Sequence, residues 1–193
     1  MNKNQKKLIV ALSIIVAIFT IGIIEKTFQN DTFFNISIGK YILENGIDMK
    51  EHFSWVTDNL DYGYSHWAFD VICYKIYDFF GFIGIYISVI AFSILTSVSL
   101  FVLLSKRSKS PIISFFVTLL TIYIISDAFT ARSQLISFLC FIIEIYCIEQ
   151  FIETNKRIYP TIVFISAALR SVPKIATASL YALNAPINPV ITR

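Results

Sequence analysis

The chain has 193 residues, of which 56% are hydrophobic and 15% charged, with a formal net charge of +3 and a mean hydropathy of +0.69. Soluble domains run nearer ~45–50% apolar and ~25% charged, so the composition excludes a soluble globular domain and points to a polytopic membrane protein. It leaves no nucleic-acid footprint, and the three cysteines (Cys73, Cys140 and Cys147) lie apart, with no histidine at zinc-ligand spacing, so they read as small buried hydrophobes.

The predicted elements begin with an apolar run over residues 8–24, preceded by Lys3, Lys6 and Lys7. At 1.5 Å per residue it just crosses ~30 Å of hydrocarbon if flanking residues help. A cleavable signal peptide shares the basic start, but the run ends in Ile23, Ile24, Glu25 rather than in a small-x-small cleavage site. It is therefore expected to be an uncleaved first transmembrane helix.

Residues 25–81 are the only long segment that is neither apolar throughout nor a short basic connector. They hold both histidines, both tryptophans and nine of the thirteen acidic residues, against four lysines. Two amphipathic helices are expected here. Residues 32–45 place Phe34, Ile38, Tyr41 and Ile42 on one face, with Asn30 or Asp31 as N-cap and Gly46 as the stop. A second helix, capped by Ser65 and ended by Gly81, turns Phe69, Ile72, Ile76 and Phe79 to one side. Between them Asp58-Asn59 favours a turn or short hairpin, and Trp55, Trp67, Tyr62 and Tyr64 suit a membrane interface.

Three further spans follow, over residues 82–104, 111–126 and 133–152, with Pro111 suited to a first helical turn. Glu144, in the middle of the last, is expected to face the bundle, since an ionised side chain there costs on the order of 2.5 kcal/mol or more against lipid. From Tyr159 the character changes: residues 159–193 gain alanines and carry four of the five prolines. This tail reads either as foreign to the original design, through a frameshift or a cut and rejoined longer protein, or as a native cytoplasmic tail. The fold expected is thus an all-α helix bundle of about four transmembrane helices over residues 1–158, with two amphipathic helices in its first outer loop.

The order of residues in the outer loops resembles bacterial polytopic membrane proteins of the GT-C glycosyltransferase type over about residues 5–157. The matching pieces are Asp31 with Phe33, Phe34 and Gly39; Ile42 and Gly46; His52-Phe53-Ser54-Trp55; Tyr64-Ser65-His66-Trp67 with Asp70; and Thr130-Ala131-Arg132-Ser133-Gln134. The sequence departs from many such relatives in having His66 before Trp67 where they carry an acid, and Ser133 after Arg132 where they carry proline. The resemblance implies transfer of a sugar from a polyprenyl-phosphate carrier to an envelope acceptor, by the N-terminal part of such an enzyme. It implies Asp31 as base toward the acceptor hydroxyl and Arg132 as the contact to the leaving lipid phosphate. His66 and Asp70, four residues apart on one helix face, read as a proton-transfer pair, half a metal site or a simple surface pair, and Trp67 and Gln134 as substrate contacts. No cofactor is indicated, a divalent metal included, and the partners expected are membrane lipid and the lipid-linked sugar. The sequence also accommodates a non-enzymatic membrane protein whose outer loop binds a partner or an envelope polymer, with Asp31 as a plain N-cap and Arg132 snorkelling to lipid head groups.

Lys and Arg crowd the N-terminal tail and residues 105–110 and 153–158, which alternating spans put on one side. That side is expected to be cytoplasmic in a bacterial inner membrane. Reporter fusions within residues 25–81 should therefore read as extracytoplasmic and fusions just after Lys109 as cytoplasmic. A loop that reports from the cytosol overturns the orientation.

Overall fold

A computed structural model of the chain describes residues 3–25, 27–54, 63, 66–108, 110–156 and 158–163. The expected turn at Asp58-Asn59, the Ser65 cap, the interfacial Trp55, Tyr62 and Tyr64, and the tail from residue 164 lie outside them. Every element described is helical: α1 (Lys3–Ile23), α2 (Asn30–Asn45), α3 (Trp67–Ser108), α4 (Pro111–Ile124), a single 3-10 turn (Ser126–Ala128) and α5 (Ser133–Thr154). Among the described residues, α1, α3 and α5 are long and apolar enough to cross a membrane, and α4 is a shorter apolar helix.

Helix α3 is two helices joined at Gly81, whose φ of 62° and ψ of −158° break the helical path. That φ lies where a Cβ is strained, so glycine is the residue that permits the bend. Phe82 fixes the two halves to their surroundings: its ring meets Phe28 at 5.3 Å, Phe33 at 5.5 Å and Tyr77 at 4.8 Å between centroids. Consequently the first half of α3, residues 67–80, lies against α2, and the second half runs among α1, α4 and α5.

The bundle core gathers Ile9 and Val16 of α1, Ile85, Val89 and Phe101 of α3, Ile122 of α4 and Leu135 of α5. Between the helices lie buried hydroxyls, Thr20, Ser93, Thr96, Ser97, Ser114 and Thr118. Several donate to the carbonyl one turn back, as Thr20 does to Val16 at 2.8 Å, Thr96 to Phe92 at 2.8 Å and Thr118 to Ser114 at 2.7 Å. A hydroxyl satisfied within its own helix lets small side chains sit where backbones approach closely. Conversely, many large apolar residues face outward, among them Ile14, Ile18, Ile83, Ile87, Phe116 and Leu120. Such a surface suits lipid and not water.

Two features differ from the sequence expectation. Helix α2 begins two residues earlier, with Gln29 as its N-cap and no side-chain cap bond, so neither Asn30 nor Asp31 caps it. The physical reason is that the Asp31 carboxylate bonds elsewhere. Its buried face also differs, comprising Thr32, Ile36, Ile38, Gly39 and Ile42, while Phe34 is exposed. Gly46 does end the helix, with φ 83° and its N–H donating to Ile42 at 2.9 Å.

Gly39 explains the rotation. A Cβ built there would lie 2.1 Å from the Asp70 carbonyl oxygen and 2.8 Å from Tyr74 Cβ, so α2 and α3 touch backbone to backbone. A carbonyl fixed in a helix cannot yield as a flexible side chain would. Gly39→Ala is expected to cost ~1–3 kcal/mol, the usual range for overpacking, seen as a lower thermal midpoint in detergent by circular dichroism. Gly22→Ala, where nothing lies within 4 Å, should lose nothing.

Candidate functional site

A cavity of about 490 Å³ opens at the end of the bundle where α2 crosses α3. Helix α2 lines it with Asp31, Phe34, Asn35 and Ile38; the start of α3 contributes His66 and Asp70; and Arg132, Ser133, Gln134 and Ser137 come from the head of α5. Residues from three separate stretches of chain therefore meet in one space, lined by polar side chains together with Phe34 and Ile38. Five of the six residues expected to carry function are in its wall. Trp67 is the exception, packing on the Ile38 and Ile42 pair as part of the joint between α2 and α3.

Asp31 lies in the first turn of α2 and projects to Arg132, where Oδ2 accepts from Nη2 at 2.7 Å. The Asp31 side chain is 56% exposed and that of Arg132 34%. Arg132 itself is the N-cap residue of α5, in extended conformation, and its buried Nε–H has no acceptor among the described residues. Nη2 is thus engaged while Nε–H is left over among the described residues. The first turn of α5 borders the same cavity, and a helix start favours negative charge through its unpaired N–H groups and dipole.

What positions Arg132 is the connector before it. The sequence marks residues 127–132 as a tight polar link, yet Phe129 is fully buried, Thr130 and Ala131 are nearly so, and Arg132 N–H donates to the Thr130 carbonyl at 2.7 Å. Phe129 acts as a plug in the core, which a polar reading of the segment misses; the signal was one aromatic between alanine and threonine. Behind Arg132, a narrow apolar crevice of about 30 Å³ runs past Cys73, Ile85, Val89 and Leu135.

Asp70 has the opposite environment from Asp31. It is 3% exposed, and its Oδ1 meets no hydrogen-bond partner among the described residues. Burial pushes its carboxyl up to about 7, because a charge in an apolar surrounding loses its hydration. Its N–H closes the first turn of α3 on the His66 carbonyl at 3.0 Å, so His66, exposed, and Asp70, buried, share a helix face and a cavity wall. One turn further on, Cys73 is pushed up to about 12, first by burial and then by the Asp70 charge, which keeps it a thiol. Among the described residues no three His, Cys, Asp or Glu gather in a way that would hold a metal ion.

A second polar cluster, not foreseen from sequence, follows α2. Asp48 Oδ2 accepts from the Tyr41 hydroxyl at 2.8 Å and meets His52 Nε2 at 2.6 Å, while Oδ1 accepts from the Lys50 N–H at 3.2 Å. The Tyr41 and His52 rings stack at 4.7 Å. Burial raises the Asp48 carboxyl, but the bonds from His52, Tyr41 and Lys50 outweigh it and hold the group below the ordinary carboxylate range. The cluster braces the chain leaving α2; its sequence signal was Asp48 and His52 four residues apart, just after the Gly46 stop.

At the other end of the bundle, Arg107 of α3 pairs with Glu149 of α5, and Lys106 lies over the Tyr146 ring at 5.4 Å. Glu144 is half-buried on α5 between the two ends. Comparison with protein-family models, with curated proteins and with solved structures gives no match.

The exposure of the Asp31–Arg132 pair bears on what it is for. Ion pairs this open to solvent contribute ~0.2–1 kcal/mol, too little to hold α2 on α5. A double-mutant cycle with Asp31→Asn and Arg132→Gln, read by thermal unfolding in detergent, should therefore give a coupling of no more than about 1 kcal/mol. A coupling several times larger would make the pair a structural clasp.

Proposed function

We propose that this chain is a GT-C-like membrane glycosyltransferase, which moves a sugar from a polyprenyl-phosphate carrier to a hydroxyl of an envelope acceptor. The observation that carries the reading is that Asp31 and Arg132, distant in sequence, meet at 2.7 Å in the wall of one polar cavity at a bundle end. The resemblance in sequence singled out these two residues for acid–base and phosphate work, and an accidental pair of loop residues has no reason to converge on a cavity.

In this reading α1, the second half of α3, α4 and α5 are four crossings in alternating directions. Helix α4, at 14 residues, reaches only ~21 Å, and the 3-10 turn after it completes the passage. The end bearing Lys3, Lys6, Lys7, Lys106 and Arg107 is cytoplasmic. The cavity then opens on the outer face of the bacterial cytoplasmic membrane, at the level of lipid head groups, and a lipid-borne phosphate reaches Arg132 without leaving the bilayer.

The chemistry asked of the site is modest. The acceptor hydroxyl loses its proton to a carboxylate in the cavity while its oxygen bonds to the anomeric carbon of the sugar. The bond from that carbon to the phosphate oxygen breaks, and the lipid phosphate departs with the electron pair. A guanidinium and a helix start stabilise the charge gathering on that phosphate. Asn35, His66, Gln134 and Ser137 supply the donors and acceptors that a sugar requires.

The test uses the full chain in liposomes, a radiolabelled polyprenyl-phosphate hexose as donor and an extract of envelope polymer as acceptor. Arg132→Ala and Asp31→Asn are each expected to lower transfer by about 10²-fold or more. Transfer unchanged in both variants removes the enzyme reading and favours an outer loop that binds a partner.

A further inference from the structure

The two carboxylates of the cavity are in different states of engagement, and that difference assigns them different work. Asp31 already has its Oδ2 on Arg132. Asp70 is buried in the cavity wall, with an oxygen that nothing among the described residues satisfies. A buried polar atom left without a partner costs ~1–3 kcal/mol, and such atoms in a folded protein call for a ligand, a water or a catalytic role.

We propose that Asp70 is the catalytic base of the transfer, receiving the proton of the acceptor hydroxyl, and that Asp31 is a positioning residue that holds the Arg132 guanidinium for the departing phosphate. This rests on the reading of the chain as a sugar transferase. In the step, the acceptor O–H donates to the Asp70 carboxylate and gives it the proton as the carbon–oxygen bond forms. The anomeric carbon releases the lipid phosphate toward Arg132, and the protonated Asp70 later returns its proton to water.

The surroundings of Asp70 suit that task. The charged or titratable groups near it are Asp31 on α2, Arg132 at the head of α5, and His66 and Cys73 on its own helix. Asp31 and Arg132 largely cancel as a pair, and Cys73 stays neutral. Burial is left as the dominant influence, and it raises Asp70 to about 7, near where a base is strongest while still ionised at neutral pH. Because the base works deprotonated, transfer should rise as pH climbs through about 7 and level off above it.

The experiment has two readouts on the full chain in liposomes. The first is the pH profile of transfer from a radiolabelled polyprenyl-phosphate hexose to an envelope-polymer extract. Asp70→Asn, which matches the protonated carboxyl in shape, should lower transfer by about 10²-fold or more and abolish the rise near pH 7. Asp31→Asn should lower the rate and keep a rise, displaced toward lower pH because the Arg132 charge is no longer balanced, and His66→Gln should leave the wild-type midpoint unmoved. The second readout is infrared titration of the carboxyl stretch without substrate, in which a band titrating near pH 7 should be present in the wild type and missing in Asp70→Asn. If that band is absent, or survives the substitution, the assignment of Asp70 falls even where transfer is intact. A rise near pH 7 that disappears in Asp31→Asn but persists in Asp70→Asn overturns it in favour of Asp31. Wild-type protein that shows the band but transfers no sugar fails the transferase reading itself, and the role of Asp70 in it goes too.

Discussion

The cavity depends on one close approach, the crossing of α2 over the first half of α3 at Gly39. With no side chain at that position, the α2 backbone lies on the Asp70 carbonyl, and this contact does two things at once. It buries Asp70 beneath α2, which removes water from a carboxyl that would otherwise sit on an open helix surface. It also sets the distance from the crossing to the first turn of α2, and with it the place where Asp31 meets Arg132. The apolar pair Ile38 and Ile42, packed with Trp67, Val71 and Met49, seals the far side of the joint. Trp67 thus contributes to the site through the backbone it supports.

The kink at Gly81 is the complement of that contact. A straight α3 would carry residues 67–80 along the line of the span and away from α2. Bent at Gly81 and held by the rings around Phe82, the same residues turn onto the bundle end. An ion pair marks each of the two ends so produced, Asp31 with Arg132 at one and Arg107 with Glu149 at the other. Between them the contact is made by apolar side chains and by small hydroxyl side chains, of which Thr20, Thr96 and Thr118 are satisfied within their own helices. Lipid provides no hydrophobic force to press helices together, so close packing of small residues takes its place.

This explains which parts of the structure were legible in the sequence. The long apolar helices were, because lipid demands an unbroken run of apolar residues with every backbone group bonded internally. Gly46 as a stop and Pro111 at a helix start were legible too, since each acts through its own backbone chemistry. The buried faces of α2 and of the start of α3 were not. Apolar periodicity points to a core in water, but beside a membrane Ile72, Phe79 and Phe80 turn outward while Asp70 and Cys73 turn in. The rotation of α2 was set by Gly39, whose lack of a side chain gives no hydrophobic signal at all. Likewise Asp31, a plausible cap by position, is drawn off by an arginine that only the fold brings near, and Phe129 is hidden in a segment whose neighbours are polar.

A guanidinium can serve two acceptors together, and that property reconciles the closed ion pair with a phosphate site. Arg132 spends Nη2 on Asp31, and its buried Nε–H, in the same rigid plane, has no acceptor among the described residues. In the proposed reaction the phosphate need not displace Asp31. It takes remaining donors, and the carboxylate already bound fixes the plane against rotation, so less orientational freedom is lost when the anion arrives. A lysine would not do the same, because its donors rotate about one point and a carboxylate on one of them would fix nothing for the rest. The division of labour follows from the same geometry: a carboxylate already bonded to a cation is a poor place to leave a proton, whereas a desolvated one with an oxygen unpartnered among the described residues gains by accepting it. In the proposed transfer one acid orients the charge that stabilises the leaving group, and the other, made basic by burial under α2, takes the proton.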